Sequence, residues 1–258
     1  MKWSLMAFII GFLMDLLIGD PHGFPHPVVF IGREITWLER GLRRIFPKSP
    51  GGEKAAGGLL WLVVVFTSTG IPLLLLGICH RISPWLRLAV ESVMCWQILA
   101  VKSLRDESMK VYDALESGDM EQSRHAVSQI VGRDTSTLDD AAITRAAVET
   151  VAENTSDGIV APLLYLAIGG APLGFCYKAV NTMDSMLGYT EAPYQQIGLV
   201  PAKVDDVANF IPSRLAALLM LAAGWLLNMD VKNGWRIFRR DRLRHASPNA
   251  AQTDSVWA

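Results

Sequence analysis

Apolar residues in this chain are gathered into blocks, not spread at a regular helical or strand period. Residues 58–79, GLLWLVVVFTSTGIPLLLLGIC, hold no charge and are long enough for the roughly 20 residues that cross a bilayer. Residues 4–18, 84–101, 159–176 and 207–227 form four further apolar segments. Each carries an interruption. Asp15 sits in the first, which is short, and Arg87 and Glu91 in the second, four apart and so able to pair on one helix face. GGAPLG breaks the third, and Arg214 lies near the start of the fourth. Charges in such segments face other helices or a cavity, not lipid. The first run resembles a signal peptide, but Asp15 and the GDPHGFPHP that follows are unlike a small-residue cleavage site, so a retained membrane helix is expected. The pattern predicts an all-α, polytopic helical membrane protein with about five apolar segments.

The polar blocks have their own periodicity. VVFIGREITWLERGLRRIF repeats apolar residues at helical spacing against Arg33, Glu34, Glu39, Arg40, Arg43 and Arg44, an amphipathic helix suited to a membrane surface or a packing partner. PKSPGGEKAAGG reads as a loop. Residues 102–157 read as a soluble helical insert of three short amphipathic helices, within a single integral membrane domain covering 1–258. In GRDTSTLD, Ser136 or Thr137 is expected to cap the third helix, with Asp139 and Asp140 in its first turn. No internal repeat or low-complexity tract is present.

Composition agrees with a membrane protein: 51% of the 258 residues are hydrophobic and 19% charged, where soluble domains carry nearer a quarter. The net charge of -1 and the lack of a strongly basic face give no support to a nucleic-acid partner. Lys and Arg are unevenly placed, with six in each of 20–57, 102–158 and 228–258, two in 177–206 and one in 80–83. The positive-inside rule puts the three rich segments in the cytoplasm, which five spans and an outside N-terminus satisfy. Cys79, Cys95 and Cys176 lie in or beside apolar segments without CxxC spacing, and no disulfide framework is expected.

The chemistry-bearing residues cluster at segment edges. Arg145, Glu149, Glu153 and Asp157, four apart, make one polar helix stripe, with Thr150 and Asn154 on the adjacent one. An Arg145–Glu149 pair on a solvated face would look the same. However, the stripe runs into an apolar segment, and carboxylates at a helix C-terminus oppose the macrodipole. A cation would relieve that, and Mg²⁺ favours one or two carboxylates with phosphate oxygens. Arg133 and Asp134 lie in a loop suited to an anionic group, or simply to helix capping. Lys178, Asn181 and Asp184 fall on one broad helix face, with Ser185 four residues after Asn181. Asp205 and Asp206 precede an apolar run that contains Arg214, and acids there can also be dipole complements. In DPHGFPHP, Asp20, His22 and His26 stand among Pro21, Pro25 and Pro27, which exclude a regular helix and favour a rigid surface loop over a metal site. No Walker A, GxGxxG, GxSxG or HExxH pattern occurs.

GDPHGFPHPVVFIGREITWLE, GRDTSTLD, RAAVETVAENTSDGIVAPLLY, YKAVNTMDSMLGY and FIPSRL, in this order, resemble the adenosylcobinamide-phosphate synthase family, called CbiB or CobD. The resemblance runs from about residue 10 to about residue 250. It implies cobalamin biosynthesis in the inner (cytoplasmic) membrane by ATP- and Mg²⁺-dependent amide ligation. A carboxylate of the corrinoid substrate adenosylcobyric acid would be joined to the amine of 1-amino-2-propanol phosphate or the free amino alcohol. ATP would turn the carboxylate into an acyl phosphate, cations would offset the phosphate charge, and a carboxylate would accept the amine's proton. By the same resemblance Glu149, Glu153 and Asp157 hold Mg²⁺ or act as base, and Asn154 orients substrate. Arg133 and Asp134 contact phosphate. Lys178, Asn181 and Asp184 complete the pocket, with Asp20, His26, Asp205, Asp206 and Arg214 as further candidates. The lipid bilayer and other cobalamin-pathway membrane proteins are the implied partners. The family runs on past SPNAG where this chain reads SPNAAQTDSVWA, so a C-terminus truncated relative to the family is expected. Two other classes remain open on residues alone: a non-catalytic, AmpE-like membrane signalling protein and a small-molecule transporter.

Overall fold

The computed structural model describes residues 2–21, 23–244 and 247–257, so His22 lies outside the described residues. Regular structure is helical, with no strand among the described residues. In chain order the helices are α1 (Lys2–Ile18), α2 (Pro27–Ile45), α3 (Pro50–Ile82), α4 (Pro84–Trp96), α5 (Val101–Glu116), α6 (Met120–Ser128), α7 (Asp140–Asn154), a π-helical turn (Thr155–Val160), α8 (Ala161–Leu187), α9 (Leu199–Ala208), α10 (Phe210–Leu226), α11 (Val231–Asp241) and α12 (Ala250–Trp257).

Helix starts follow simple chemistry. A side-chain acceptor followed by proline opens α2 (His26–Pro27), α3 (Ser49–Pro50) and α4 (Ser83–Pro84). The acceptor satisfies an orphan N–H, and proline costs nothing at a position whose N–H has no helical partner. This moves one boundary: the expected loop PKSPGGEKAAGG is largely the first turns of α3. The cap of α7 is Asp139, whose Oδ1 accepts from the Ala142 amide at 2.8 Å, and not Ser136 or Thr137.

Two helical stretches are long and apolar enough to cross a membrane, Pro50–Ile82 and Asp140–Leu187, and a third is if α9 and α10 form one span broken at Asn209. This is a polytopic helical membrane architecture, with fewer full-length spans than the five apolar segments suggested. The segment 84–101 yields only the 13-residue α4, about 20 Å at 1.5 Å per residue against a hydrocarbon core of about 30 Å. The break expected at GGAPLG is present: Gly169 and Gly170 leave helical geometry, Gly170 at φ 64°.

The chain divides into two compact units. The first comprises Met1–Asp15, Pro21–Leu99 and Ala161–Asn209. Its core is apolar, built on Ile35, Leu60, Val64, Cys95, Ile98, Leu99, Met183, Leu187 and Ile197. Gly57 lets α3 pass directly over the Ile197 carbonyl, where a Cβ would collide with it. Phe66, Ile71, Leu73 and Leu74 of α3 stay exposed, as suits a lipid-facing surface. The second unit comprises Leu16–Asp20, Ala100–Val160 and Phe210–Ala258. It contains residues 102–157 and packs them with residues 210–258. Val111, Val127, Ile143 and Ala146 form one of its cores. Ala152, Ala217, Met220, Leu221, Phe238 and Val256 form the other. The three cysteines are free, with Cys79 and Cys95 buried.

Candidate functional site

Within the second unit the acidic stripe lies on α7 and the π turn. The helix does not end at Asn154, because the π turn carries the backbone on without a terminus. The macrodipole argument for a cation at a helix C-terminus therefore does not apply here. π turns insert into helices frequently at functional sites. They also shift the register, so side chains beyond Asn154 no longer follow the four-residue stacking of α7. Among the described residues no group of three or more His, Cys, Asp or Glu side chains is gathered to hold a metal ion. Glu149, Glu153 and Asp157, expected to hold Mg²⁺, are not gathered into such a group.

One side of α7 borders a cavity of about 760 Å³, lined by Arg145, Glu149, Asp241, Arg244, Asp254 and Trp257 among others. Glu149 is held by Arg133 at 3.2 Å, not by Arg145 as the spacing suggested. Asp241 takes Arg244 at 3.1 Å and its neighbour Arg240. These pairs hold the Asp241 carboxyl below its ordinary value, chiefly through the Arg240 hydrogen bond. Asp254, on α12, is placed differently: its Oδ1 is buried with no hydrogen-bond partner. Burial, then the charges of Glu153, Glu149 and Asp157, push its carboxyl up to about 7. Burial and like charges both disfavour the ionised form.

The other side of α7 borders a smaller cavity of about 210 Å³ that includes Thr150, Asn154, Gly158, Ser103 and Glu107. Asn154 donates its amide to the Thr150 carbonyl at 2.9 Å. The structure therefore parts Asn154 from Glu149. Asp20 accepts from the Ser103 hydroxyl at 2.8 Å. Asp134 closes an Asx turn on the Ser136 amide at 2.9 Å, and the Ser136 N–H and hydroxyl hold its carboxyl below the usual range. Arg214 reaches the Phe210 carbonyl at 2.6 Å and Asn249 Oδ1 at 3.3 Å, with its guanidinium 3.6 Å from the Phe210 ring centroid. It ties α10 to the turn before α12.

The remaining candidates belong to the first unit. His26 caps α2, its Nδ1 accepting from the Val28 amide at 3.3 Å. Lys178, Asn181 and Asp184 share α8 and are half-buried. Asp205 accepts from Asn209 at 2.9 Å, and Asn209 in turn accepts from the Tyr177 hydroxyl at 2.8 Å. Tyr177 stacks on Tyr165 with centroids 4.9 Å apart. Asp206 pairs with Lys203 at 3.0 Å. Sequence reasoning missed Asp254 and Arg244. The available signal was one acid in the otherwise uncharged stretch SPNAAQTDSVWA, and nothing local ties it to α7 about a hundred residues earlier.

No solved structure matches the chain. A family model described as CobD/Cbib protein matches residues 8–258. The chain is similar to the cobalamin biosynthesis protein CobD of Clostridium perfringens, with 44% identity over 98% of this chain and 80% of that protein. It is 47% identical to the CobD of Klebsiella pneumoniae over 99% of this chain and 80% of that protein. It is 46% identical to the cobalamin biosynthesis protein CbiB of Salmonella typhimurium over the same shares. With the model spanning nearly every residue and identities this high, the chain belongs to the CobD/CbiB family of cobalamin biosynthesis proteins.

Proposed function

We propose that the acidic face of α7 and the π turn, with the cavity closed by α12, is where this chain carries out amide ligation. A CobD/CbiB chain is an enzyme of cobalamin biosynthesis, an adenosylcobinamide-phosphate synthase. That reaction joins a corrinoid carboxylate to an amine. A carboxylate is a poor electrophile, and ATP, entering with Mg²⁺ on its phosphates as co-substrate, supplies the activation. The observation that carries the placement is the 760 Å³ cavity, where arginines and carboxylates converge. Its volume is that of a small-ligand site. Its arginines suit an anionic group on a substrate, and a carboxylate beside the amine can take its proton. Glu149 and Glu153 supply the negative potential that attracts the cationic amine, and Arg133 orients Glu149.

The membrane helices support turnover at a bilayer, and we place the enzyme in the cytoplasmic membrane with other cobalamin-pathway proteins as neighbours. Lys178, Asn181, Asp184, Asp205 and Asp206 remain candidates for the corrinoid side of the reaction. Replacing Glu153, which is exposed and so carries little packing, tests the placement. Glu153→Ala should abolish amide formation, and rescue of a strain unable to amidate cobyric acid, while inserting into membranes at the normal level. Normal turnover in that variant would sink the proposal.

A further inference from the structure

Most charges lining the α7–α12 cavity already have partners. Glu149 has Arg133, and Asp241 has Arg244 and Arg240. Two do not balance within the chain. Arg145 forms no ion pair or hydrogen bond among the described residues. Asp254 keeps a buried oxygen without a hydrogen-bond partner. Both line the same cavity, yet they make no ion pair with each other. Opposite charges held apart in one cavity suit a guest that carries both signs and bridges them. Glu149, Glu153 and Asp157 add negative charge near Asp254. Arg244, anchored by its pairing with Asp241, adds positive charge to the same cavity. Val148, Ala152 and Trp257 supply apolar wall.

An amino alcohol phosphate is a guest of this kind. Its ammonium and its phosphate stand at opposite ends of a short apolar linker. We propose that Arg145 and Arg244 are the specificity-determining residues through which this chain takes the amino alcohol as its phosphate ester, with Asp254 receiving the ammonium end. The proposal rests on the ligation reading above and refines it. Burial and the neighbouring acids make an uncompensated negative charge on Asp254 costly, and a bound ammonium relieves that cost. Guanidinium groups suit phosphate because their planar donor fork meets its oxygens two at a time.

The test compares phosphorylated and free amino alcohol as co-substrates of the full chain in detergent. Removing one charge-assisted hydrogen bond from a binding site weakens binding by about 10- to 100-fold. Arg145→Gln and Arg244→Gln should each raise KM for the phosphate ester by about that factor and leave KM for the free amino alcohol within about twofold. Arg145→Lys, which keeps the charge, should recover much of the affinity. Asp254→Asn should raise KM for both co-substrates alike, since both carry the ammonium. Equal effects of the arginine variants on the two co-substrates, or none on either, would overturn the proposal. So would an Asp254→Asn variant with unchanged KM for both. Its failure and that of the ligation site are separable. An inactive Glu153→Ala beside undiscriminating arginine variants leaves the catalytic placement standing and removes the subsite. An active Glu153→Ala beside discriminating arginine variants does the reverse.

Discussion

The two units give their buried carboxylates different neighbours. The first sets a buried carboxylate beside an arginine. Glu91, 1% exposed, takes Arg87 at 3.2 Å, and Arg87 reaches the Ser4 hydroxyl at 3.0 Å. Thr67, in the middle of α3, donates to Glu34 at 2.8 Å. Tyr177, Asn209 and Asp205 form a chain of hydrogen bonds. In the second unit burial, and then the carboxylates of α7 and the π turn, push the Asp254 carboxyl up. Satisfied networks fix a packing arrangement. Titratable groups perturbed by like charges mark candidate sites of function, because a bound cation can relieve the repulsion. The first unit reads as a scaffold within the membrane, and the second carries the candidate chemistry.

The largest expected effect breaks the scaffold side of this contrast. Glu91→Ala removes the buried half of an ion pair and leaves Arg87 without it, which costs about 3 kcal/mol or more. Thermal unfolding in detergent should show a marked fall in stability; an unchanged melting temperature would mean that the Arg87–Glu91 pair contributes nothing. Glu153→Ala should instead leave melting unchanged and stop turnover.

A smaller effect sharpens the other side. The folded chain holds the Asp254 carboxyl at about 7, above its ordinary 3.8. The unfolded chain therefore releases this proton first as pH rises. Between about pH 4 and 7 the folded state binds the extra proton, so stability falls with rising pH across that window and levels off above it. Below about pH 4 both states are protonated and the residue contributes no slope. Melting curves from pH 5 to pH 8 should decline more steeply in the natural chain than in Asp254→Asn. Parallel curves would show that the carboxyl is not held up. The smallest effect belongs to the Arg133–Glu149 pair, whose side chains are 56% and 48% exposed. Exposed pairs contribute less than about 1 kcal/mol. Arg133→Ala should barely move the melting temperature, so any fall in turnover measures the site and not the fold.

Much of the scaffold was legible beforehand. The charge-free run 58–79 lies inside α3, although the proline-led start of that helix was expected as the loop PKSPGGEKAAGG. The Arg87–Glu91 pair follows from four-residue spacing alone. GGAPLG announced the break at Gly169 and Gly170. The site was half legible. Glu149, Glu153, Asn154 and Asp157 stood out as a polar stripe, but a stripe does not say which side of the helix meets what. Asn154 turns to the smaller cavity while Glu149 lines the larger. The expected Arg145–Glu149 pair gives way to Arg133, because a loop that folds back over α7 offers a partner that helical spacing cannot anticipate.

What the sequence by itself determined is local: where apolar runs lie, where the backbone must break, and, through ordered motifs, the family. Those features depend on neighbours within a few residues, so the pattern contains them. What only the tertiary structure decided is long-range. It joined residues 100–160 to residues 210–258 in one unit. It also replaced a helix end by a π turn and brought Asp254 and Arg244 to the face of α7. The physical reason is that a carboxyl's environment is set by what packs around it. For Asp254 the acids that raise it come from α7 and the π turn, about a hundred positions earlier in the chain.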